Sequence, residues 1–235
     1  MQSNTYKKTF DKNVIGGKPE YKNMKAEESE QLFEYYLKLH GFEYQRDFAV
    51  DQGNINSANV DFRVESNSQV VLCDVKEVRD SNHDINGDLN AYTHIRNDIN
   101  KLRKKFGKNK PKEPCVLVSM NFSSKFFTGL TIAKAMLGDI GICFDKQTKQ
   151  IISDIHHLPR GNARMTQQQN HSISGVFVFD RIDNSHCLFT NPFADHPAPN
   201  GFFPAVQVVL LTRESLSSEL QRLSDLMFWN VCDED

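Results

Sequence analysis

The stretch 70-VVLCDVKEV-78 decides the fold, because it is apolar enough to form a core strand and yet contains charged residues in its middle. Side chains alternate across a strand, so Asp74 and Lys76 share one face while the apolar residues between them share the other. Burying a charge without a partner is unfavourable. The neighbouring elements must therefore supply either a structural partner or a chemical role for both residues.

The preceding strand, 59-NVDFRVE-65, supplies a third charged residue. The turn 66-SNSQ-69 between the two strands is short, which predicts an antiparallel hairpin. By the same alternation, we expect Asp61 to lie on the face that carries Asp74 and Lys76, away from the apolar residues. The hairpin therefore has one apolar side and one side with two carboxylates and a lysine.

Two carboxylates and a lysine on adjacent strands are typical of a divalent-cation site. Mg²⁺ prefers oxygen ligands and binds to one or two protein carboxylates while keeping water and phosphate oxygens, and we expect Mn²⁺ to substitute for it. A lysine beside the metal orients or helps to deprotonate the attacking water and balances charge in the transition state. The arrangement of Asp61, Asp74 and Lys76 therefore predicts phosphodiester hydrolysis.

A fourth candidate lies on the first predicted helix, which runs from about Ala26 to His40 and ends before Gly41. Glu30 precedes Phe33 by three residues, at the edge of the apolar stripe of this helix rather than opposite it. A glutamate so close to the core needs a partner. We expect the metal site to be that partner, with Glu30 as an accessory ligand.

The order of the predicted elements indicates an α/β fold with a mixed sheet. The first six elements are α-β-β-β-α-β, and the last β-α-β step implies a parallel neighbour. They are a helix over 26–40, strands over 43–50, 59–65 and 70–78, a helix over 88–106 and a strand over 115–120. Beyond Asn121 the pattern predicts a helix over 130–137, strands over 140–144, 150–156, 173–180, 186–190 and 205–211, and a helix over 214–228.

These features resemble the PD-(D/E)xK nuclease superfamily, with the restriction-endonuclease-like fold, and are especially similar to its Holliday-junction-resolvase-type members. The resemblance covers residues 25–121, and Val60 stands where the first motif often has proline. It implies Asp61 and Asp74 as metal ligands, Lys76 as the catalytic lysine and Glu30 as an accessory group. We accordingly predict an N-terminal arm (1–24), a nuclease core (25–125) and a C-terminal extension packed on it (126–235).

A basic run follows the candidate site, 95-IRNDINKLRKKFGKNKPK-112. An isolated run of this kind is usually a solvated helix face. Beside a candidate phosphodiesterase site it equally predicts contacts to a phosphate backbone, which dominate nucleic-acid affinity. The residues predicted to bind nucleic acid are Arg96, Lys101, Arg103, Lys104, Lys105 and Lys108.

The composition of the 235 residues is ordinary for a globular protein, with 39% hydrophobic and 25% charged residues and a net charge of −2. Five cysteines without a CxxC pair favour reduced thiols and a cytoplasmic location. The chain contains no apolar run long enough to span a membrane, and its polar N-terminus lacks a signal-peptide pattern. The histidines near residues 156, 171, 186 and 196 fit no closed zinc-ligand set.

The sequence thus predicts a Mg²⁺-dependent DNA endonuclease, of restriction or other defence type by analogy with the fold. A structure-specific resolvase or repair nuclease is the alternative within the same fold. A non-catalytic nucleic-acid-binding or assembly subunit is the alternative of another class. We expect DNA as the partner and no membrane. Because one active site cuts one strand, a homodimer is expected if the product is a double-strand break.

Overall fold

The computed structural model describes residues 27–50, 58–79, 90–106, 110–123, 129–138, 140–141, 148, 156–157, 163–180, 185–204 and 206–209. These residues form an α/β protein with a seven-stranded mixed sheet and three helices. The predicted N-terminal arm and the predicted helix over 214–228 lie outside the described residues. None of the helices in the described ranges is long and apolar enough to cross a membrane.

The first six elements follow the predicted order α-β-β-β-α-β. The helices are α1 (Glu27–Leu39), α2 (Asn90–Phe106) and α3 (Gly129–Leu137). The strands are β1 (Glu43–Ala49), β2 (Asn59–Ser66), β3 (Gln69–Val78), β4 (Cys115–Asn121), β5 (Ile140–Gly141), β6 (His156–His157), β7 (Gly175–Asp180), β8 (Ser185–Thr190) and β9 (Gln207–Val209).

The main sheet has the strand order β1-β2-β3-β4-β7-β8-β9, and β5 pairs with β6 in a separate two-stranded sheet. β1, β2 and β3 are antiparallel, whereas β3, β4 and β7 are parallel to one another. The parallel neighbour expected from the β3-α2-β4 crossover is therefore confirmed. Three strands from the segment after residue 126 extend this same sheet, with β8 antiparallel to β7 and β9 parallel to β8.

Two local signals fix the ends of the elements around the hairpin. Asn67 and Ser68 connect β2 to β3 with φ angles of 49° and 62°, and two positive φ angles are the requirement of a type I′ hairpin turn. α1 ends at Leu39, and Gly41 follows it with a φ of 70°. The Phe42 N–H then donates to the Leu37 carbonyl at 3.0 Å, the bond expected of a Schellman motif.

The two faces of the sheet are covered by different helices. α1 packs Phe33 and Leu37 into a buried cluster with Val71, Cys73 and Val75 of β3. On the other face, the apolar stripes of α2 and α3 join a second buried cluster that contains Leu72 and Leu117. Every residue of β4 is buried, as expected for a parallel strand between two helical layers.

We predict that Phe33→Ala lowers the free energy of unfolding by about 3–5 kcal/mol, because a fully buried aromatic side chain leaves a cavity. Phe33 makes edge contacts with Phe62, Phe177 and Phe179, whose centroids lie 5.3–6.4 Å away. Leu39→Ala on the same helix is the control, because Leu39 is 64% exposed and its loss should change stability little. Equal losses for the two variants in denaturant unfolding would contradict this account of the α1 layer.

Candidate metal and phosphodiester site

The hairpin places Asp61 and Asp74 at neighbouring positions. Its register runs from Ser66 opposite Gln69 to Phe62 opposite Cys73, and the two aspartates come next on their strands. At this point the Val75 N–H donates to Asp61 Oδ2 at 2.6 Å. The Asp61 carboxylate therefore accepts a main-chain donor of β3 and is held against Asp74.

Burial differs between the two carboxylates. The side chain of Asp74 has no exposed surface, whereas that of Asp61 is 18% exposed. Asp74 lies on a central strand, where it is beside Leu117 of β4 in the parallel register. A carboxylate in such a position must be neutralised or paired, because an isolated buried charge is strongly destabilising.

Lys76 supplies one of the compensating charges, and the structure brings it together with both aspartates as predicted. Its Nζ lies 2.7 Å from Asp74 Oδ2 and 3.4 Å from Asp61 Oδ2, and it donates to the Val75 carbonyl at 2.8 Å. Three oxygen atoms from different groups therefore converge on one cationic nitrogen. Asp74 Oδ2 forms an ion contact there but no well-directed hydrogen bond with any described residue.

Lys105 supplies the second compensating charge. From the last turn of α2, its Nζ donates to Asp74 Oδ1 and lies 3.9 Å from Asp61 Oδ1. Lys105 was predicted to bind a phosphate backbone, and the structure instead places its ammonium against the two carboxylates. The signal in the sequence is its spacing, because Lys105 follows the buried Leu102 by three residues and so lies beside the packed face of the helix.

Asp61, Asp74, Lys76 and Lys105 form what we call the carboxylate–lysine quartet, with two negative and two positive groups. Burial raises the pKa of Asp61, and the charge of Asp74 raises it further, against the opposing effect of the two lysines. Burial alone would lower the pKa of Lys76, but the charges of Asp74 and Asp61 outweigh it and raise that pKa. Lys76 therefore stays protonated at neutral pH.

The oxygen atoms of this site fit a divalent cation. Asp61, Asp74 and the Val75 carbonyl are hard oxygen donors, and they already surround one cationic group. Among the described residues there is no group of three or more aspartate, glutamate, histidine or cysteine side chains placed so that it could hold a metal ion. Two carboxylates, one carbonyl and water molecules are nonetheless a donor set that Mg²⁺ accepts. A cation bound here would share its oxygens with one of the lysines or displace it.

Glu30 does not join the site, so its prediction as a metal ligand is corrected. Its carboxylate forms an ion pair with Arg46 of β1, with Oε2 2.6 Å from Nη2. The reason is alternation: α1 covers the face of β3 that carries Val71, Cys73 and Val75, and the side chain of Asp74 projects from the opposite face. Glu30 is therefore separated from the quartet by the sheet.

The predicted nucleic-acid-binding residues separate into several groups. The prediction that Arg96 contacts nucleic acid is corrected. Arg96 is only 6% exposed, donates to the Lys134 carbonyl of α3 at 3.1 Å and stacks on Tyr92. Lys101 is exposed and paired with Asp98 three residues earlier, at 2.8 Å. Arg103 and Lys104 are exposed on the last turn of α2, and Lys108 lies outside the described residues.

We predict that Asp61→Asn is more stable than the natural protein at pH 7 but not at pH 3. The folded pKa of Asp61 is raised above the ordinary 3.8, so the protonated carboxyl group favours the folded state below pH 3.8. This stabilisation is lost as the pH rises through the folded pKa. The asparagine does not ionise, yet its side-chain oxygen can still accept the Val75 N–H. Thermal unfolding across this pH range measures the difference, with Asp47→Asn as the same change at an exposed carboxylate. A stability difference independent of pH would contradict the assigned cause of the shift.

We also predict that the two lysines stabilise Asp74 redundantly. Either Lys76→Met or Lys105→Met should cost less than the roughly 3–5 kcal/mol typical of an uncompensated buried charge, because the other lysine remains. The double variant should lose more than the sum of the two single losses in denaturant unfolding. Adding Asp74→Asn should then restore stability, and Lys104→Met controls for losing an exposed lysine of α2. Additive losses would show that the lysines do not share Asp74.

Comparison with known proteins gives no match to a protein-family model, to a curated protein or to a solved structure. The resemblance to PD-(D/E)xK nucleases therefore rests on Asp61, Asp74, Lys76 and the order of the elements around them. The geometry of the quartet is the basis for assigning a function.

Proposed function

We propose that this protein is a Mg²⁺-dependent nuclease of the PD-(D/E)xK type that hydrolyses phosphodiester bonds in DNA. The observation that carries the proposal is the convergence of Asp61, Asp74 and the Val75 carbonyl on the Lys76 ammonium. Carboxylates held together in a partly solvated site, with a lysine beside them, match the requirements of metal-assisted phosphodiester cleavage. The restriction-endonuclease-like identity of the fold belongs to the same proposal.

Each residue of the site has a distinct part in this reaction. A divalent cation bound by the carboxylates would activate water and neutralise charge on the phosphate. Asp74 is the more rigid ligand, because it is fully buried, while the Val75 N–H fixes the orientation of Asp61. Lys76 lies beside both carboxylates and is proposed to act as a charged group that stabilises the transition state.

DNA is the proposed substrate, because Arg103 and Lys104 are exposed on the last turn of α2, the turn from which Lys105 reaches the aspartates. Basic residues of this kind contact phosphates without reading sequence.

A restriction or other defence role is proposed by analogy with the fold, as is the alternative of a resolvase or repair nuclease. A homodimer is proposed for double-strand cleavage. A cytoplasmic location is proposed from the cysteines, of which Cys73 and Cys115 are buried free thiols.

One observation favours a second candidate, a nucleic-acid-binding subunit that retains the fold without catalysis. Lys105 gives the quartet a balanced charge, so the buried carboxylates are compensated without any metal ion. In that case Lys76 and Lys105 serve only as structural partners of the two aspartates. The two candidates differ in whether a divalent cation binds at the aspartates.

Cleavage of supercoiled plasmid in the presence of Mg²⁺ or Mn²⁺ tests the proposal. Asp74→Asn should abolish cleavage and metal binding measured by calorimetry. Lys76→Met should lower the cleavage rate about a hundredfold while keeping metal binding, because it removes a charge that acts in the transition state. Lys38→Met, at an exposed lysine of α1 paired with Glu34, is the matched control and should cleave at the natural rate.

The outcomes separate the candidates. Discrete fragments indicate a sequence-specific enzyme, and preferential cutting of branched DNA indicates a resolvase. A gel shift without cleavage, together with no calorimetric metal binding, indicates the non-catalytic subunit. Undiminished cleavage by Lys76→Met would show that the assigned role of this lysine is wrong.

A further inference from the structure

The two lysines of the quartet occupy separate positions between the aspartates. Lys76 Nζ lies 2.7 Å from Asp74 Oδ2 and 3.4 Å from Asp61 Oδ2. Lys105 Nζ donates to Asp74 Oδ1 and lies 3.9 Å from Asp61 Oδ1. Each ammonium group therefore lies close to one oxygen of each carboxylate, and the two oxygens of Asp74 face different lysines.

These lysines limit access to Asp74. The side chain of Asp74 has no exposed surface, whereas the side chains of Lys76 and Lys105 are 30% and 33% exposed. A cation from solvent therefore reaches Asp74 only in the place of one ammonium group. The charges lead to the same result, because a divalent cation added to the balanced quartet is repelled by two ammonium groups at short range.

Lys105 is held by fewer contacts than Lys76. Lys76 donates to the Val75 carbonyl at 2.8 Å in addition to its contacts with both aspartates. Lys105 donates to Asp74, and its distance of 3.9 Å from Asp61 is too long for a second hydrogen bond. Because its stem starts on α2, Lys105 can withdraw into water without moving the strand that carries Asp74. Lys105 therefore loses less than Lys76 by leaving.

We propose that the Lys105 ammonium is a built-in competitor of the divalent cation at Asp61 and Asp74. In the protein without metal, Lys105 compensates the buried carboxylate, and binding of a divalent cation requires Lys105 to leave while Lys76 stays. The apparent affinity for metal is then lowered in proportion to the small fraction of molecules in which Lys105 has left Asp74. This inference rests on the proposed function, because it concerns the regulation of the same metal site.

Calorimetric titration of Mn²⁺ into the full chain, in the absence of DNA, tests the competition. Lys105→Met should bind Mn²⁺ at least about tenfold more tightly than the natural protein, because the competing state is removed. Lys105→Arg keeps a cation at this position and should not tighten binding. Lys104→Met removes an exposed charge from the same turn of α2 and should change the affinity by less than about threefold.

Acylation of lysine amines in the natural protein shows which ammonium group leaves, and this measurement does not depend on the folding of any variant. An amine released into water reacts faster with a succinimidyl ester than an amine held between carboxylates. Acylation of Lys105 relative to Lys104, measured by mass spectrometry, should rise severalfold when Mn²⁺ is added. Acylation of Lys76 should not rise.

The outcomes distinguish this inference from the proposed function. Equal Mn²⁺ affinities of the natural protein and Lys105→Met would overturn the competition and leave the nuclease proposal intact, as would a rise in acylation at Lys76 instead of Lys105. Absence of Mn²⁺ binding to both proteins would overturn the competition together with the metal site. Mn²⁺ binding to Lys105→Met alone would support the competition, because Lys105 would then exclude the metal completely.

Discussion

The buried negative charge of Asp74 is the constraint on which the rest of the structure depends. A carboxylate with no exposed surface, on a strand between two helical layers, has to be compensated by nearby cations. Lys76 provides one from the same strand, and Lys105 provides the other from α2. The last turn of α2 therefore packs over the hairpin. The β3-α2-β4 crossover places β3 and β4 side by side in the sheet.

The same compensation bears on the chemistry of the site. Two close carboxylates repel each other when no cation is present, and the lysines remove that repulsion in the protein without metal. Lys105 is one-third exposed on a flexible stem, so its ammonium can leave the carboxylates at a smaller cost than a buried group could. The quartet is therefore compatible with a nuclease and also with a purely structural role, and metal binding distinguishes the two.

Local patterns in the sequence were sufficient for the hairpin part of the site. Alternation along β2 and β3, with the short predicted turn over 66–69 between them, determines that Asp61, Asp74 and Lys76 lie on one side. Glu30 could not be assigned in the same way. Helical periodicity indicates which face of α1 is buried, but it does not indicate which face of the sheet that helix covers. Arg96 was misassigned for a related reason, because its burial depends on α3, which packs against α2 from elsewhere in the chain.

The sequence by itself determined the order of the first six helices and strands, the antiparallel hairpin, the parallel β3–β4 pair and the grouping of Asp61, Asp74 and Lys76. These features follow from side-chain periodicity, turn length and crossover connection, which act over short distances along the chain. Only the tertiary structure decided that α1 and α2 cover opposite faces, that Glu30 pairs with Arg46 and that Lys105 pairs with Asp74 from 31 residues away. Long side chains such as lysine and glutamate have several possible partners, and the choice among them depends on how the layers pack.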